Sequence, residues 1–120
     1  MLRTDASNVG LGAVLMQDYD GKLHPIAYAS KRLTKAEEKY STLEKECLAI
    51  IWGTAKFRLF LLGKTFTLQT DHQPLAFLDR AKYQNNRIMR WALALQTYDF
   101  SVQDIPGKEN VAADYLSRLL

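Results

Sequence analysis

The 120 residues predict an α/β fold built on one mixed five-stranded sheet, three strands antiparallel and two parallel, flanked by helices. Three observations lead there. The first quarter of the chain holds three strand-like segments joined by turn chemistry, which reads as an antiparallel meander. Helical stretches then precede a fourth and a fifth strand, and such crossovers imply parallel pairing with right-handed connections. The composition, 48% hydrophobic and 24% charged with 11% aromatic residues, is that of a globular domain with a substantial core and argues against intrinsic disorder.

Taken in order, Leu2 to Ala6 is the first strand and Gly10 to Gln17 the second. Asp18-Tyr19-Asp20-Gly21 supplies the turn, and Lys22 to Ser30 returns as the third strand. Pro25 lacks a ladder donor, so this strand belongs at a sheet edge. Thr34-Lys35-Ala36-Glu37 and Ser41-Thr42-Leu43-Glu44 both have capping-box spacing. The main helix is expected to start at Ser41 and end at Gly63. Leu43, Cys47, Ile50, Thr54, Phe57 and Leu61 share its inward face, while Leu48, Trp52, Ala55, Leu59 and Leu62 make the other side apolar too. That pattern suits a central helix. Thr65 to Thr70 alternates with period two and is the fourth strand. Helices are expected over Gln73 to Arg80 and Asn86 to Thr97, the latter with Ile88, Trp91, Ala92 and Leu95 inward and Arg87 and Arg90 outward. Asp99 to Ile105 is the fifth strand, and Val111 to Leu119 a terminal helix.

The balance of 16 basic against 13 acidic residues gives a charge of +3, which permits a nucleic-acid partner without demanding one. The single Cys47 cannot form an intramolecular disulfide, and two histidines with one cysteine cannot build a zinc finger. Lys56 and Arg58 interrupt the longest apolar run, and the N-terminus lacks the apolar core of a signal peptide. A soluble, intracellular, reducing setting without a membrane partner is the expectation. Chemistry there falls most easily to carboxylates with a hard metal ion.

Four carboxylates hold special positions: Asp5 in the first strand, Glu46 one turn into the central helix, Asp71 at the end of the fourth strand and Asp114 in the last helix. If the fourth strand adds in parallel beside the first, Asp5 and Asp71 meet where ligand sites of such sheets gather, at the strands' carboxyl ends. Converging acids repel unless a cation neutralises them, and all-oxygen ligands favour Mg²⁺ or Mn²⁺. Two such ions about 3.5–4 Å apart activate a water and stabilise the leaving oxygen of a phosphodiester. Taken singly, each acid is more simply a solvated surface group.

The motifs Thr4-Asp5-Ala6-Ser7, Gly10-Leu11-Gly12-Ala13-Val14-Leu15, Glu44-Lys45-Glu46-Cys47-Leu48-Ala49-Ile50, Thr70-Asp71-His72 and Pro106-Gly107-Lys108-Glu109-Asn110-Val111-Ala112-Ala113-Asp114-Tyr115-Leu116-Ser117-Arg118 stand in this order. Together they resemble the ribonuclease H domain of gypsy-type LTR retrotransposon reverse transcriptases, over residues 2 to 118. The resemblance implies a ribonuclease H fold and hydrolysis of the RNA strand of RNA–DNA hybrids during reverse transcription. It also implies two bound Mg²⁺ ions, replaceable by Mn²⁺, held by the catalytic acids Asp5, Glu46, Asp71 and Asp114. Glu46 is preferred to Glu44 because the family's glutamate directly precedes a Cys/Leu-Leu-Ala-Ile-like segment. Helical phase agrees, since Glu44 points about 160° away and toward solvent. Ser7, Asn8, Thr42 and His72 border this cluster and are the candidates for sugar hydroxyls or phosphates, the 2′-hydroxyl being what marks RNA.

The pattern has two departures. No histidine stands between Tyr98 and Asp114, where many ribonucleases H carry one on a loop, and residues 81–86 are too few for the basic helix with which cellular relatives grip hybrid. These point to slow turnover and weak substrate grip, and they keep open a second reading, a catalytically weak or inactive tether domain. A single domain over residues 1–120, cut from a longer polyprotein, is expected. Its partners would be RNA–DNA hybrid and the polymerase domain of the same polyprotein, and its location the cytoplasm, within retroelement particles. Elsewhere the simpler readings hold: His24 exposed, Cys47 a buried inert thiol, Trp52, Phe57 and Phe60 core or helix–helix contacts. Lys31, Arg32, Lys35, Lys82, Arg87, Arg90 and Lys108 are surface charges that together could track a duplex backbone.

Overall fold

The computed structural model describes residues 1–104, the side chain of His72 excepted. Strands β1 (Leu2–Ala6), β2 (Gly10–Tyr19) and β3 (Lys22–Arg32) come first, then helices α1 (Lys35–Glu38), α2 (Thr42–Lys56) and α3 (Arg58–Leu61). β4 (Thr65–Gln69), α4 (His72–Ala81), α5 (Asn86–Leu95) and β5 (Asp99–Gln103) complete the described order. The sheet runs β3-β2-β1-β4-β5, antiparallel across the first three strands and parallel from β1 to β4 and from β4 to β5. This is the expected mixed sheet. The expected terminal helix, with Asp114 and Lys108, lies outside the described residues.

Local chemistry explains the meander. Asp20 and Gly21 both have positive φ, 54° and 79°, as the two central residues of a type I′ hairpin require. β3 is an edge strand, as Pro25 predicts. Its register against β2 shifts between Leu15, opposite Ala27, and Met16, opposite Pro25, so Ile26 is the extra residue of a bulge beside the proline.

The main core lies between the sheet and the helices. Leu2, Ala13, Leu15, Phe66 and Leu68 come from strands and Cys47, Ile50, Phe57, Ile88, Trp91 and Leu95 from the helical side. α2 crosses β1 and β2 closely at Gly53, where an added Cβ would lie 3.0 Å from Thr4 Cγ2 and 3.3 Å from Ala13 Cβ. Hence Leu2 and Thr4 face α2, and the alternate residues Arg3 and Asp5 face the other side of the sheet.

Four expectations need correction. The central helix does not run unbroken from Ser41 to Gly63. It stops at Lys56, and Phe57 (φ −107°, ψ 26°) leads into the short α3. Leu59 is 93% exposed there and Phe60 55%, while Leu61 is buried in the core, so α3 packs by one side only and Phe60 is no core contact. Arg87 does not face away and Glu44 does not point to open solvent, because the two form an ion pair between α5 and α2.

Candidate active site

The first turn of α2 is fixed from three sides. Ser41 caps it, its hydroxyl accepting from the Glu44 amide at 3.1 Å while Glu44 accepts from the Ser41 amide at 3.0 Å. The other Glu44 oxygen accepts from Arg87, whose guanidinium also stacks 4.2 Å from the Tyr40 ring centroid and 5.4 Å from that of Trp91. Burial pushes the Glu44 carboxyl up, but the Ser41 hydrogen bonds and the Arg87 charge outweigh it and hold the group below its ordinary value. On the next turn the Cys47 thiol donates to the Pro74 carbonyl at 3.1 Å, tying α2 to the start of α4. Burial first, then the charges of Glu46 and Glu44, push this thiol up to about 12, which makes it inert at neutral pH.

Glu46 stands on α2 between these two anchors, Glu44 and Cys47. Asp71 follows β4 and caps α4, accepting from the Gln73 amide at 2.9 Å. Glu46 is half-buried, and its carboxyl is raised above the ordinary value by burial first and by the negative charge of Asp71 second. Asp5 lies on β1, whose parallel pairing with β4 runs to Arg3 opposite Gln69, two residues before Asp5 and Asp71 respectively. Asp114, the remaining expected acid, lies outside the described residues. Among the described residues, no three His, Cys, Asp or Glu side chains converge closely enough to hold a metal ion.

Three of the four expected substrate-side residues, Ser7, Asn8 and Thr42, share a cleft of about 370 Å³ with Ala6, Val9 and Lys45. It lies between the β1–β2 turn and the first turn of α2, with Asp5 just before it in sequence and Glu46 just after. The Ser7 hydroxyl shapes the turn by accepting from the Val9 and Gly10 amides at 3.3 and 3.1 Å. His72 opens α4.

Sequence reasoning missed Lys45, although it lies three residues after Thr42 and hence on the same helical face. It also missed a polar ladder across three strands: Arg3 donates to Gln69, and Gln69 donates to Gln103 at 2.9 Å. Of the basic residues considered for phosphate, Lys31 pairs with Glu37 at 3.4 Å and Lys82 with Asp79 at 3.1 Å, whereas Arg32, Lys35 and Arg90 are exposed.

Comparison with known proteins follows the same lines. Residues 1–98 match the family model of the RNase H-like domain found in reverse transcriptase. The chain is 47% identical over 119 residues to the retrovirus-related Pol polyprotein from transposon 297 of Drosophila melanogaster, covering 99% of this chain and 11% of that protein. It is 43% identical over 118 residues to the Pol polyprotein from transposon gypsy of the same organism, covering 98% of this chain and 11% of that protein. The chain thus spans about a tenth of the length of these curated relatives. Among solved structures, ribonuclease H1 of Halobacterium salinarum superposes with a TM-score of 0.68 at 19% identity, over 96% of this chain and 91% of that one. A ribonuclease H1 solved in complex with an RNA/DNA hybrid superposes equally, with a TM-score of 0.68 at 17% identity, over 96% of this chain and 91% of that one. The sheet order, the Glu46–Asp71 juxtaposition and these matches agree, and the chain belongs to the family of RNase H-like domains found in reverse transcriptases.

Proposed function

We propose that this domain is a metal-dependent endoribonuclease that hydrolyses the RNA strand of RNA–DNA hybrids during reverse transcription. The observation that carries the proposal is the approach of Glu46 to Asp71, two acids from separate elements set at the carboxyl end of β4 beside the strand bearing Asp5. The donor chemistry fits hard divalent ions. All the acids are oxygen ligands, and the repulsion that raises the Glu46 carboxyl is what a bound cation would relieve.

Asp5, Glu46, Asp71 and Asp114 would hold the Mg²⁺ ions, with Mn²⁺ as a substitute. Bound there, a pair of ions supplies an activated water and neutralises charge on the scissile phosphate. The protein's own part is placement. The α4 cap orients Asp71, and the Ser41–Glu44–Arg87 clamp with the Cys47–Pro74 bond holds Glu46 opposite it. Ser7, Asn8 and Thr42 offer hydroxyl and amide groups to the sugar side of the RNA strand, with His72 at the start of α4. The partners in this reading are the hybrid and the polymerase domain of a common polyprotein, acting in cytoplasmic retroelement particles. Support for it comes from the relatives, which are Pol polyproteins, and from a structural neighbour solved with RNA/DNA hybrid.

The test is cleavage of an end-labelled hybrid with Mg²⁺, with Mn²⁺ and with chelator. Metal-dependent cutting of the RNA strand alone is expected. Asp71→Asn should abolish cutting while keeping the fold, because asparagine caps a helix as well as aspartate. Full activity in that variant removes Asp71 from the metal set. Hybrid binding without any cutting makes the domain a tether.

A further inference from the structure

We propose that the corner around α3 is the surface on which the polymerase domain of the same polyprotein docks, through an acidic segment tipped by a large apolar side chain. Leu59, Phe60 and Leu62 all stand exposed within four residues of one another. Phe60 and the exposed Ile26 of β3 wall a cleft of about 230 Å³, whose lining also holds the buried Leu15, Leu61 and Phe66 and, at its edge, Lys64. Apolar surface gathered around a concavity marks an anchor point for another protein's side chain. The charges here are of one sign. Between Glu46 and Asp71 the chain carries Lys56, Arg58 and Lys64 and no acid. All three are exposed, and among the described residues none of them forms an ion pair. Asp99 stands at the rim, where it accepts from the Thr65 hydroxyl at 3.1 Å, and no carboxylate lines the cleft.

That combination selects the occupant. A second copy of this chain, seated on the same patch about a twofold axis, would set these cations against one another. A lipid surface would leave the cleft unfilled, and α3, only four residues long, has no sustained amphipathic face to lie in it. An acidic segment with an apolar tip fills the cleft and meets the cations together. The chain belongs to a domain family of reverse transcriptases and spans about a tenth of its Pol relatives, so a covalently joined neighbour is held at high effective concentration. Position agrees, since the cleft is lined by Thr65 at the start of β4 whereas Asp71 follows the end of that strand. Docking at this end leaves the acids open to substrate. The assignment to the polymerase domain rests on the function proposed above. The acidic, apolar chemistry asked of the partner does not.

The isolated domain is compared with the intact reverse transcriptase, polymerase and this domain in one chain, by hydrogen–deuterium exchange and by carbodiimide coupling of amines to carboxylates. Residues 56–66 should exchange about tenfold more slowly in the intact protein, as for a surface covered about nine-tenths of the time. Coupling should join Lys56 or Lys64 to an Asp or Glu of the polymerase domain. Leu59→Ser and Lys64→Glu, both at exposed positions, should each return the exchange to the rate of the isolated domain while leaving that domain's thermal unfolding unchanged. Equal exchange in the two proteins, or protection that persists in both variants, overturns the proposal. Concentration-dependent association of the isolated domain that Leu59→Ser removes assigns the corner to a second copy and overturns it too. So does Leu59-dependent binding to vesicles of phosphatidylserine and phosphatidylcholine, which assigns the corner to a membrane. Protection and coupling in an intact protein that never cuts hybrid uphold this surface while the ribonuclease reading fails, so the two failures are told apart.

Discussion

Gly53 is where α2 comes closest to the sheet, and replacing it with alanine measures that approach. Two effects oppose each other. Alanine in a helix interior is favoured over glycine by about 1 kcal/mol. Against this, the new methyl would sit 3.0 Å from Thr4 Cγ2, 3.3 Å from Ala13 Cβ and 3.8 Å from Leu2 Cδ2. Carbon atoms prefer roughly 3.5–4.0 Å, so the first two contacts are too short. Thr4 is β-branched and stiff, and the Ala13 Cβ moves only with its strand. Overpacking of this kind costs about 1–3 kcal/mol, so Gly53→Ala should be destabilised by a net of about 1 kcal/mol, lowering Tm by roughly 4 °C. Urea and thermal unfolding of the two proteins provide the assay. Thr4→Ser in the Gly53→Ala background removes the nearer methyl, and the double-mutant cycle should show a favourable coupling of about 1 kcal/mol. A Gly53→Ala variant as stable as the native domain, or more so, would refute the argument that contact at Gly53 sets the distance between helix and sheet.

Other consequences can be checked directly. Because burial and Asp71 raise the Glu46 carboxyl, its ionised form opposes folding above its folded pKa and not below its unfolded one. Glu46→Gln should therefore be more stable than the native domain at neutral pH in chelator, with the advantage fading as pH falls toward about 4, while hybrid cleavage is lost. Arg87→Met removes the Glu44 pair and both ring contacts and should cost about 1–2 kcal/mol in urea unfolding, a figure discounted for the partial exposure of the pair. Since the Glu44 carboxyl is held low, the charge part of this loss is present above the carboxylate range and disappears as pH falls through it. Cys47 should resist thiol reagents at about pH 8 and label only as fast as the domain unfolds, because its thiol is buried and pushed up to about 12; prompt labelling of the folded domain would contradict its burial.

Much of the architecture could be read from local chemistry. Asp20-Gly21, Pro25, the two capping boxes and the alternation of Thr65 to Thr70 each act over a few residues, and each appears in the structure where expected. What escaped was set by packing between distant segments. Helical phase placed Glu44 and Arg87 on outward faces, but α2 and α5 bring those faces together across 43 residues of sequence. Likewise, the apolar pattern continues past Lys56 with no glycine or proline before Gly63, so nothing local announces the break at Phe57. The site divides in the same way. The parallel pairing of β1 with β4, which bears on Asp5 and Asp71, follows from strand order, whereas the influence of Asp71 on Glu46 depends on how α2 sits against α4.

The bulge at Ile26 also bears on how such a domain survives among copies of itself. An 11-residue border strand with free ladder groups would otherwise template its own continuation, molecule upon molecule. Here Pro25 removes a donor from that border and the extra residue breaks its straight run, while Lys22 and Arg32 set positive charge at its two ends. Two such borders meeting face to face would find mismatched hydrogen-bond spacing and like charges at once. A crowd of these domains is thereby kept from zipping into fibrils along this side, at the cost of one broken rung in the ladder between β2 and β3.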